Sequence, residues 1–258
     1  MRLDQLLVDR GFFSSRNRAK SEIMMGNIIV DHEKITKAGK RFNFDVSVTV
    51  KNKSIPFVSR GALKLKGALE SFHIMLEGSI CIDLGASTGG FTEIMLLNGA
   101  KRVYSVDVGY GQLHWKLRKD SRVVVMERTN ARHLKNEAFS QPVNFISGDL
   151  SFISLRHILP VISTILEKKG AAVLLIKPQF ELEREKNEKG IVKDSGFRLE
   201  AVRRVLSYCG ECGMKAIDMV KSSVKGTKGN QEYLIHVVYN RDEREAIGED
   251  MIKKTVMY

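Results

Sequence analysis

The stretch Asp83-Leu84-Gly85-Ala86-Ser87-Thr88-Gly89-Gly90-Phe91-Thr92 decides the fold. It completes a short apolar run that begins at Ile80, and residues 93–97 continue it with helical character. Glycines at a turn between a strand and a helix let the backbone approach a ligand closely and expose N–H groups at the start of the helix. Their spacing is not the G-x-G-x-x-G of dinucleotide enzymes. The stretch therefore indicates a ligand site of a nucleotide-binding type after a first strand.

Short apolar runs alternate with helical stretches on both sides of this turn. The seven runs are Ile80–Leu84, Val103–Val106, Val123–Met126, Val143–Ile146, Val173–Ile176, Ala216–Val220 and Tyr233–Tyr239. This alternation predicts an α/β fold with a mostly parallel, doubly wound sheet, whose ligands bind beyond the carboxyl ends of the strands. Asp107 directly follows the second run. A carboxylate at that place suits the two hydroxyls of a ribose.

The beginning of the chain predicts a separate small module. Its expected elements are a short helix from Leu3 that ends before Gly11, a second helix over 16–25 capped by Ser14 or Ser15, and strands at 27–30 and 46–50 with a turn at 31–33. We place the junction at residues 54–60, where a proline interrupts extended-type residues. The predicted organisation is a first domain over 1–58, a second over 59–240 and a charged tail over 241–258.

Composition and charge narrow the functional classes. Of the 258 residues, 43% are apolar, which is ample for packed cores, and 42 Lys and Arg against 30 Asp and Glu give a net charge of +12. Residues 1–66 carry 14 basic and 6 acidic side chains, so +8 of that charge lies at the front. We therefore expect a polyanion to bind mainly there.

Membrane insertion and secretion are not expected. The longest apolar run, Ala171–Ile176, has six residues, far fewer than the roughly 18 of a membrane helix. No secretory signal is visible, and three cysteines do not suggest a disulfide framework. We expect a cytoplasmic protein. Cys209 and Cys212 form an isolated C-x-x-C pair to which we assign no metal or redox role.

The first module resembles the S4 RNA-binding domain. The resemblance is carried by Arg2-Leu3-Asp4, Ser15-Arg16, Ala19, Lys20, Ile23, Gly26 and Val30. It implies that a basic helix pair lies against structured RNA and reads its backbone and shape. The expected RNA-binding residues are Arg2, Arg16, Arg18, Lys20 and, at the junction, Arg60. One departure concerns the turn, where Asp31-His32 replaces the usual glycine.

The second module resembles the S-adenosylmethionine-dependent methyltransferases, and the chain as a whole resembles the hemolysin A (TlyA) family. The matching segments are residues 59–65, 83–92, 106–113, 127–132, 149–155 and 177–181. The family joins an S4 domain to an FtsJ-like methyltransferase domain and methylates the 2′-oxygen of cytidine ribose in ribosomal RNA. The resemblance thus implies S-adenosyl-L-methionine as cofactor and ribosomal RNA or ribosomal subunits as partners.

The resemblance also implies particular site residues. The catalytic set falls on Lys64, Asp149, Lys177 and Glu232, with Lys66 as a competitor for the first position. The cofactor set is Asp83, Gly85, Ala86, Ser87, Gly89, Gly90, Phe91, Asp107, Asn130 and Asp149, and no metal is expected. Asp83, Gly85 and Gly89 are assigned to the methionine and sugar side, Asp107 to the ribose and Asn130 to the adenine.

Several questions stay open at this stage. Lys177 is expected nearest the 2′-hydroxyl, either as a general base or as an orienting donor. For Tyr110 and Trp115 we favour packing in the core or the cofactor wall over stacking on a base. Two alternative functions also stay open. The protein could be an RNA-binding, ribosome-associated factor with an inactive methyltransferase fold, or a membrane-lytic protein.

Overall fold

The computed structural model describes residues 1–13, 15–50, 56–240 and 242–258. These form two compact units, Met1–Pro56 and Phe57–Tyr258. Ser14, one of two expected helix caps, and Ser54 and Ile55 of the expected junction lie outside the described residues.

The first unit packs two short helices on a small antiparallel sheet. Its elements are α1 (Leu3–Asp9), α2 (Arg16–Met24), β1 (Ile28–Val30), β2 (Glu33–Ile35) and β3 (Val48–Val50), with strand order β2-β1-β3. Ser15 caps α2, since its hydroxyl accepts a hydrogen bond from the Arg18 N–H at 3.4 Å. The apolar faces of both helices and of β1 meet in one core that includes Leu3, Ile23 and Ile28.

The turn between β1 and β2 forms without a glycine. Val30 pairs with Glu33, so Asp31 and His32 make a two-residue hairpin, and both have positive φ, +49° and +70°. A type I′ hairpin requires this at both central positions. Asp31 is held there by two hydrogen bonds of 3.0 Å with Ser47, one from its backbone N–H to the Ser47 carbonyl and one accepted by its carboxylate from the Ser47 N–H. The carboxylate thus compensates for the missing glycine.

The second unit is built on a seven-stranded sheet of order β6-β5-β4-β7-β8-β10-β9. Its strands are β4 (Ile80–Leu84), β5 (Arg102–Val106), β6 (Val123–Met126), β7 (Val143–Gly148), β8 (Leu166–Ile176), β9 (Met214–Lys221) and β10 (Tyr233–Tyr239). Its helices are α3 (Ala62–Ser71), α4 (Gly90–Leu97), α5 (Trp115–Arg118), α6 (Leu159–Ile165), α7 (Pro178–Glu181), α8 (Ser195–Glu211) and α9 (Glu249–Met257). Short 3-10 turns lie at Ala131–His133, Asn136–Ala138, Leu155–His157, Arg184–Lys186 and Thr227–Gly229.

The sheet is mostly parallel, which confirms the predicted fold class. The pairs from β6 through β8 are all parallel, whereas β10 runs antiparallel to both β8 and β9. The chain passes from β4 to one side of the sheet and later returns to pair β7 on the other side, so the strand order reverses at β4. Ligand sites form beyond the carboxyl ends of strands at such a point.

Helices cover both faces of this sheet. All five residues of β4 are buried, as expected for a central parallel strand. Ile82 belongs to one apolar cluster and its neighbour Cys81 to the other, because successive side chains of a strand point to opposite faces. The charged C-terminal segment contributes to the first cluster, since Ile252 and Val256 of α9 are buried in it.

Candidate active site

Four charged side chains meet beyond the carboxyl ends of the parallel strands. Lys64 comes from the first turn of α3, Asp149 follows β7, Lys177 follows β8, and Glu232 precedes β10. The Lys64 ammonium lies 2.7 Å from Glu232 Oε2 and 3.2 Å from Asp149 Oδ2. The Lys177 ammonium lies 2.6 Å from Asp149 Oδ1 and donates to the Ser151 hydroxyl at 2.8 Å. All four predicted catalytic residues therefore form one network.

The network balances two buried cations with two carboxylates. Lys64, Lys177 and Glu232 are 8%, 7% and 2% exposed. Burial lowers the pKa of Lys64, but Asp149 and Glu232 outweigh burial, so that pKa is raised overall. Burial likewise raises the pKa of Asp149, but Lys177 and Lys64 outweigh it, and the net shift is downward. Lys64 is therefore an ammonium and Asp149 a carboxylate near neutral pH, and removing either partner leaves a buried charge unpaired.

The competing position on α3 is excluded from this network by geometry. Lys66 is exposed and pairs with Glu70 one turn along the same helix. Lys64 reaches the network because α3 approaches the start of α4 closely at Gly90. A Cβ on Gly90 would lie 2.8 Å from the Ala62 backbone nitrogen. The glycine is therefore required for this helix contact.

A cavity of about 540 Å³ adjoins the network beyond β4 and β5. Its lining includes Gly85, Ser87, Asp107 and Asn130 from the predicted cofactor set. A second cavity, of about 470 Å³, contains the four charged side chains. The two share Gly85, Ser87, Asp149 and Ser151 in their linings, so a group bound in the first cavity can reach the network.

Asp107 is fixed at the end of β5 by backbone N–H groups. Its Oδ2 accepts from Ser87 N at 2.8 Å and its Oδ1 from Gly109 N at 2.7 Å. A carboxylate oxygen accepts more than one hydrogen bond, so both oxygens keep acceptor capacity on a cavity wall. The arrangement suits a pair of vicinal hydroxyls.

Gly85 joins the glycine turn to the charged network. Its φ is +81°, and a Cβ there would lie 2.8 Å from the carbonyl oxygen of Asp149. Gly89 has a different constraint: its φ is +95° and a Cβ would collide with Leu117 of α5 at 2.2 Å. The first glycine permits a close approach of two site loops, and the second permits helix packing.

Other members of the predicted cofactor set lie deeper. Asp83, Ala86, Gly90 and Phe91 line the cavity that holds the charged network. Asp83 is fully buried and accepts hydrogen bonds from the Thr92 N–H and hydroxyl at 2.8 and 2.7 Å. Burial raises the pKa of Asp83 to about 7, although the Thr92 hydrogen bonds oppose the shift. Its observed contacts tie β4 to the first turn of α4, and its direct contact with a cofactor stays a prediction.

Two residues that the sequence did not single out flank Lys177. Ser151 accepts its hydrogen bond, and Phe152 is 91% exposed with a φ of +64°. Positive φ is uncommon for a bulky residue and is found where function constrains the backbone. The Phe152 and Phe180 rings lie 5.3 Å apart and line a third cavity, of about 770 Å³, whose lining also includes Lys177 and Glu232. The sequence offered one signal for Phe152, which is an aromatic residue within the family-matching segment 149–155.

The expectation that Tyr110 and Trp115 pack in the core is wrong, and neither residue is among those that line the 540 Å³ cavity. They are 69% and 65% exposed. Arg128 lies over the Tyr110 ring at 4.3 Å and Lys119 over the Trp115 ring at 5.3 Å. Tyr110 lies in the segment between β5 and α5, and Trp115 is the first residue of α5. Each ring is on the surface, where it contacts a cation.

The predicted RNA-binding side chains are all exposed, namely Arg2, Arg16, Arg18, Lys20 and Arg60. Within the first unit, Arg2 and Arg16 both donate to the buried carboxylate of Asp4, at 3.0 and 3.1 Å. The hydrogen bond from Arg2 contributes most to lowering the pKa of Asp4 to about 2. One buried carboxylate therefore orients two exposed guanidinium groups.

Comparisons with known proteins agree with this organisation. The model of the S4 domain matches residues 1–46, and that of the FtsJ-like methyltransferase matches residues 57–239. The chain therefore belongs to the hemolysin A (TlyA) family, which combines an S4 domain with an FtsJ-like methyltransferase domain. S-adenosylmethionine is the cofactor that this class implies.

Relatives cover nearly the whole chain. The 16S/23S rRNA (cytidine-2′-O)-methyltransferase TlyA of Mycobacterium tuberculosis is 42% identical over 91% of this chain and 88% of its own length. Hemolysin A of Brachyspira hyodysenteriae is 42% identical over 92% of this chain and all of its own length. The solved structure of a candidate hemolysin from Streptococcus thermophilus has a TM-score of 0.80 and 39% identity, and the match covers 100% of this chain and 94% of that one.

The described residues contain neither a membrane-spanning helix nor a grouped set of metal-binding side chains. Over residues 1–13, 15–50, 56–240 and 242–258, no helix is both long and apolar enough to cross a membrane. Within the same ranges, no three His, Cys, Asp or Glu side chains are grouped so that they could hold a metal ion.

Glu181 is a buried residue that connects two loops of the site. Its carboxylate accepts from the Ser154 hydroxyl at 2.5 Å and from Leu155 N at 2.9 Å, so it ties the loop after β7 to the turn after β8. We predict that Glu181→Ala lowers the free energy of unfolding by about 1–3 kcal/mol, because buried donors lose their acceptor. Denaturant titration measures the change.

Glu183→Ala is the matched control for that variant. Glu183 is exposed and pairs with Arg204 on the surface, so its loss should leave the denaturation midpoint nearly unchanged. Equal midpoints for the Glu181 and Glu183 variants would contradict the role assigned to Glu181.

Proposed function

We propose that this protein is an S-adenosylmethionine-dependent 2′-O-methyltransferase that acts on cytidine ribose in ribosomal RNA. The observation that carries the proposal is the network of Lys64, Asp149, Lys177 and Glu232 beside a cavity with a fixed carboxylate at Asp107. The M. tuberculosis relative, whose name states this reaction, adds the substrate.

The residues of the 540 Å³ cavity fit S-adenosylmethionine. The volume lies within the usual range of roughly 300–1,000 Å³ for small-molecule sites. In this assignment Asp107 accepts hydrogen bonds from the ribose hydroxyls, Asn130 lies at the adenine, and the backbone at Gly85 borders the methionine. When bound, the cofactor supplies an electrophilic methyl group.

Lys177 is the group that we assign to the ribose 2′-hydroxyl. An ammonium has three donors, of which Asp149 and Ser151 accept two, so one is left to hold the 2′-oxygen. In its neutral form the same nitrogen would accept the hydroxyl proton when the methyl group passes to the 2′-oxygen, so that the O–CH₃ bond forms as the S–CH₃ bond of the cofactor breaks and a neutral thioether leaves. In both forms the nitrogen has to be held in a fixed position, and Asp149 and Ser151 hold it there. This positioning supplies much of the rate enhancement.

Lys64 and Glu232 help to hold Asp149 in its position beside Lys177. Lys64 binds the second oxygen of Asp149 and also Glu232, so Asp149 cannot rotate away from Lys177 without breaking a buried ion pair. We assign Lys64, Asp149 and Glu232 as positioning residues for Lys177.

The third cavity suits an RNA nucleotide. Its lining includes Lys177 and Glu232 of the charged network and also Phe152, Phe180, Lys189 and Lys228. Exposed aromatic rings stack on unpaired bases, and cations pair with phosphates, in proteins that bind single-stranded RNA. The exposed basic residues of the S4 unit add contacts to structured RNA.

The alternatives identified from the sequence have less support. A binding factor that had lost activity would have no need for four catalytic-type residues in contact, and these are all present. A membrane-lytic role rests on the name of the Brachyspira relative, and no structural feature described above favours it.

Cofactor binding is tested at Asp107. We predict that Asp107→Ala weakens S-adenosylmethionine binding roughly 10- to 100-fold, because hydrogen bonds to a charged group contribute about 1.5–3 kcal/mol. Isothermal titration calorimetry measures the affinity. Glu137→Ala, which removes an exposed carboxylate of the same unit, should bind as the wild type does. Equal affinities of the Asp107 variant and the wild type would refute the ribose assignment.

The catalytic assignment is tested at Lys177. Lys177→Ala should reduce methyl transfer to ribosomal RNA by about 10²- to 10⁴-fold, the usual cost of losing a proton-transfer group. Cofactor affinity should survive because Asp107 and the glycine turn are unchanged. The assay measures incorporation of labelled methyl groups at saturating cofactor, after circular dichroism has shown that the variant is folded.

Lys66→Ala removes the same charge from the exposed face of α3 and should transfer normally. Near-normal transfer by Lys177→Ala would refute the assignment. A wild type inactive on naked RNA, isolated subunits and intact ribosomes would favour the binding-factor alternative.

A further inference from the structure

A basic cleft lies beside the loop that joins β9 to β10. It shares Lys225 with the cavity that contains the charged network. Its volume is about 260 Å³, and its lining includes the four cationic side chains Lys193, Arg198, Lys221 and Lys225. None of these four belongs to the predicted RNA-binding set, which lies at the front of the chain and the junction. The cleft is a second concentration of positive charge, within the methyltransferase unit.

The walls of this cleft are held in place by a buried amide. Asn230 is 2% exposed, and its side chain donates to the Gly190 carbonyl at 2.7 Å and accepts from Val192 N at 3.0 Å. Lys228 adds a hydrogen bond to the Lys189 carbonyl at 2.8 Å. These hydrogen bonds join the loop between β9 and β10 to the segment 188–193. Two of the lining cations, Lys193 and Lys225, therefore lie on segments that are connected to each other.

Successive residues of the β9–β10 loop face two different cavities. Gly229 and Gln231 line the basic cleft, whereas Asn230 and Glu232 line the cavity assigned to the target nucleotide. Lys225 lines both the basic cleft and the cavity with the charged network. A polymer strand with one nucleotide in the nucleotide cavity would thus have its neighbouring units next to the cleft.

The polar groups of the cleft suit an anion. The Nη1 of Arg198 donates to the Lys193 carbonyl at 3.0 Å, which links two of the residues that line the cleft. Lys193 pairs with Glu188 at 2.8 Å, but both side chains are largely exposed, so that pair is weak and exchangeable.

We propose that this cleft binds a backbone phosphate of the RNA strand that carries the target nucleotide. The inference rests on the proposed function for the identity of the strand. A phosphodiester group is a compact anion, and Lys and Arg side chains bind it in proteins that contact nucleic acids. The cleft would fix the register of the strand while the nucleotide beside Glu232 is methylated. Salt-dependent affinity for RNA would then come from the methyltransferase unit as well as from the S4 unit.

The test uses the full chain with Lys193→Gln and Lys221→Gln combined. The matched control combines Lys168→Gln and Lys169→Gln, two exposed lysines near the start of β8 and so at the opposite edge of the sheet. Both variants lose two positive charges. Fluorescence anisotropy with fluorescein-labelled oligocytidylate gives the binding constant over a series of KCl concentrations.

The slope of log K against log [KCl] should become shallower by roughly 0.7 in the cleft variant, because the cleft is assigned to one phosphate and each lost phosphate contact changes the slope by about that amount. The control should keep the wild-type slope. Identical slopes for the two variants would overturn the proposal, whether both keep the wild-type slope or both lose slope equally.

Methyl transfer by the wild type is measured in parallel. Failure of the cleft proposal can then be distinguished from failure of the proposed function. Transfer to ribosomal RNA with no slope change in the cleft variant contradicts the cleft and leaves the enzyme intact. The expected slope change with a wild type that transfers no methyl group contradicts the proposed function and supports phosphate binding at the cleft.

Discussion

The carboxylate of Asp149, shared between two buried lysines, is the contact on which the rest of the site depends. One oxygen meets Lys177 at 2.6 Å and the other meets Lys64 at 3.2 Å. Its backbone N–H donates to the Leu84 carbonyl at 3.0 Å, and its own carbonyl is the atom that a side chain at Gly85 would strike. Asp149 therefore couples the glycine turn, α3 and the end of β8. Because buried charges are stable only when paired, the active geometry and the fold of this region stabilise each other.

The reversed direction of β10 is required by the same network. Glu232 precedes its strand, whereas Asp149 and Lys177 follow theirs, and Tyr233 pairs with Ile176 in antiparallel register. A parallel β10 would carry Glu232 to the opposite edge of the sheet. The antiparallel strand thus brings a residue from a strand start to the edge where the parallel strands end. It also places the β9–β10 loop between the nucleotide cavity and the basic cleft.

Much of this arrangement can be predicted from the sequence because it depends on local patterns. Apolar runs of four to seven residues gave the strands, and residues directly after them had to converge at one sheet edge. The assignment of Lys64 depended on the family resemblance, since no local pattern separates Lys64 from Lys66. The helix orientation that buries one and exposes the other depends on the close contact at Gly90, which is a tertiary feature.

The remaining features depend on packing between distant segments. Tyr110 and Trp115 were expected in the core or the cofactor wall, but both rings lie on the surface beside Arg128 and Lys119. The charged C-terminal segment gives two residues, Ile252 and Val256, to the core through a spacing of four that is easily overlooked among charges. The basic cleft combines three separate segments, which only the fold brings together.

The central claim is that the Asp149-centred network directs a methyl group to a ribose oxygen of ribosomal RNA. Mapping of 2′-O-methylated nucleotides in ribosomal RNA from cells with and without this protein tests it most directly, together with the reaction of the purified protein and S-adenosylmethionine on the unmodified ribosomes. The account predicts at least one cytidine that is 2′-O-methylated only when the protein is present, and whose methylation the purified protein restores. Identical maps from the two cell types, or a methyl group on a base instead of the ribose, would contradict it.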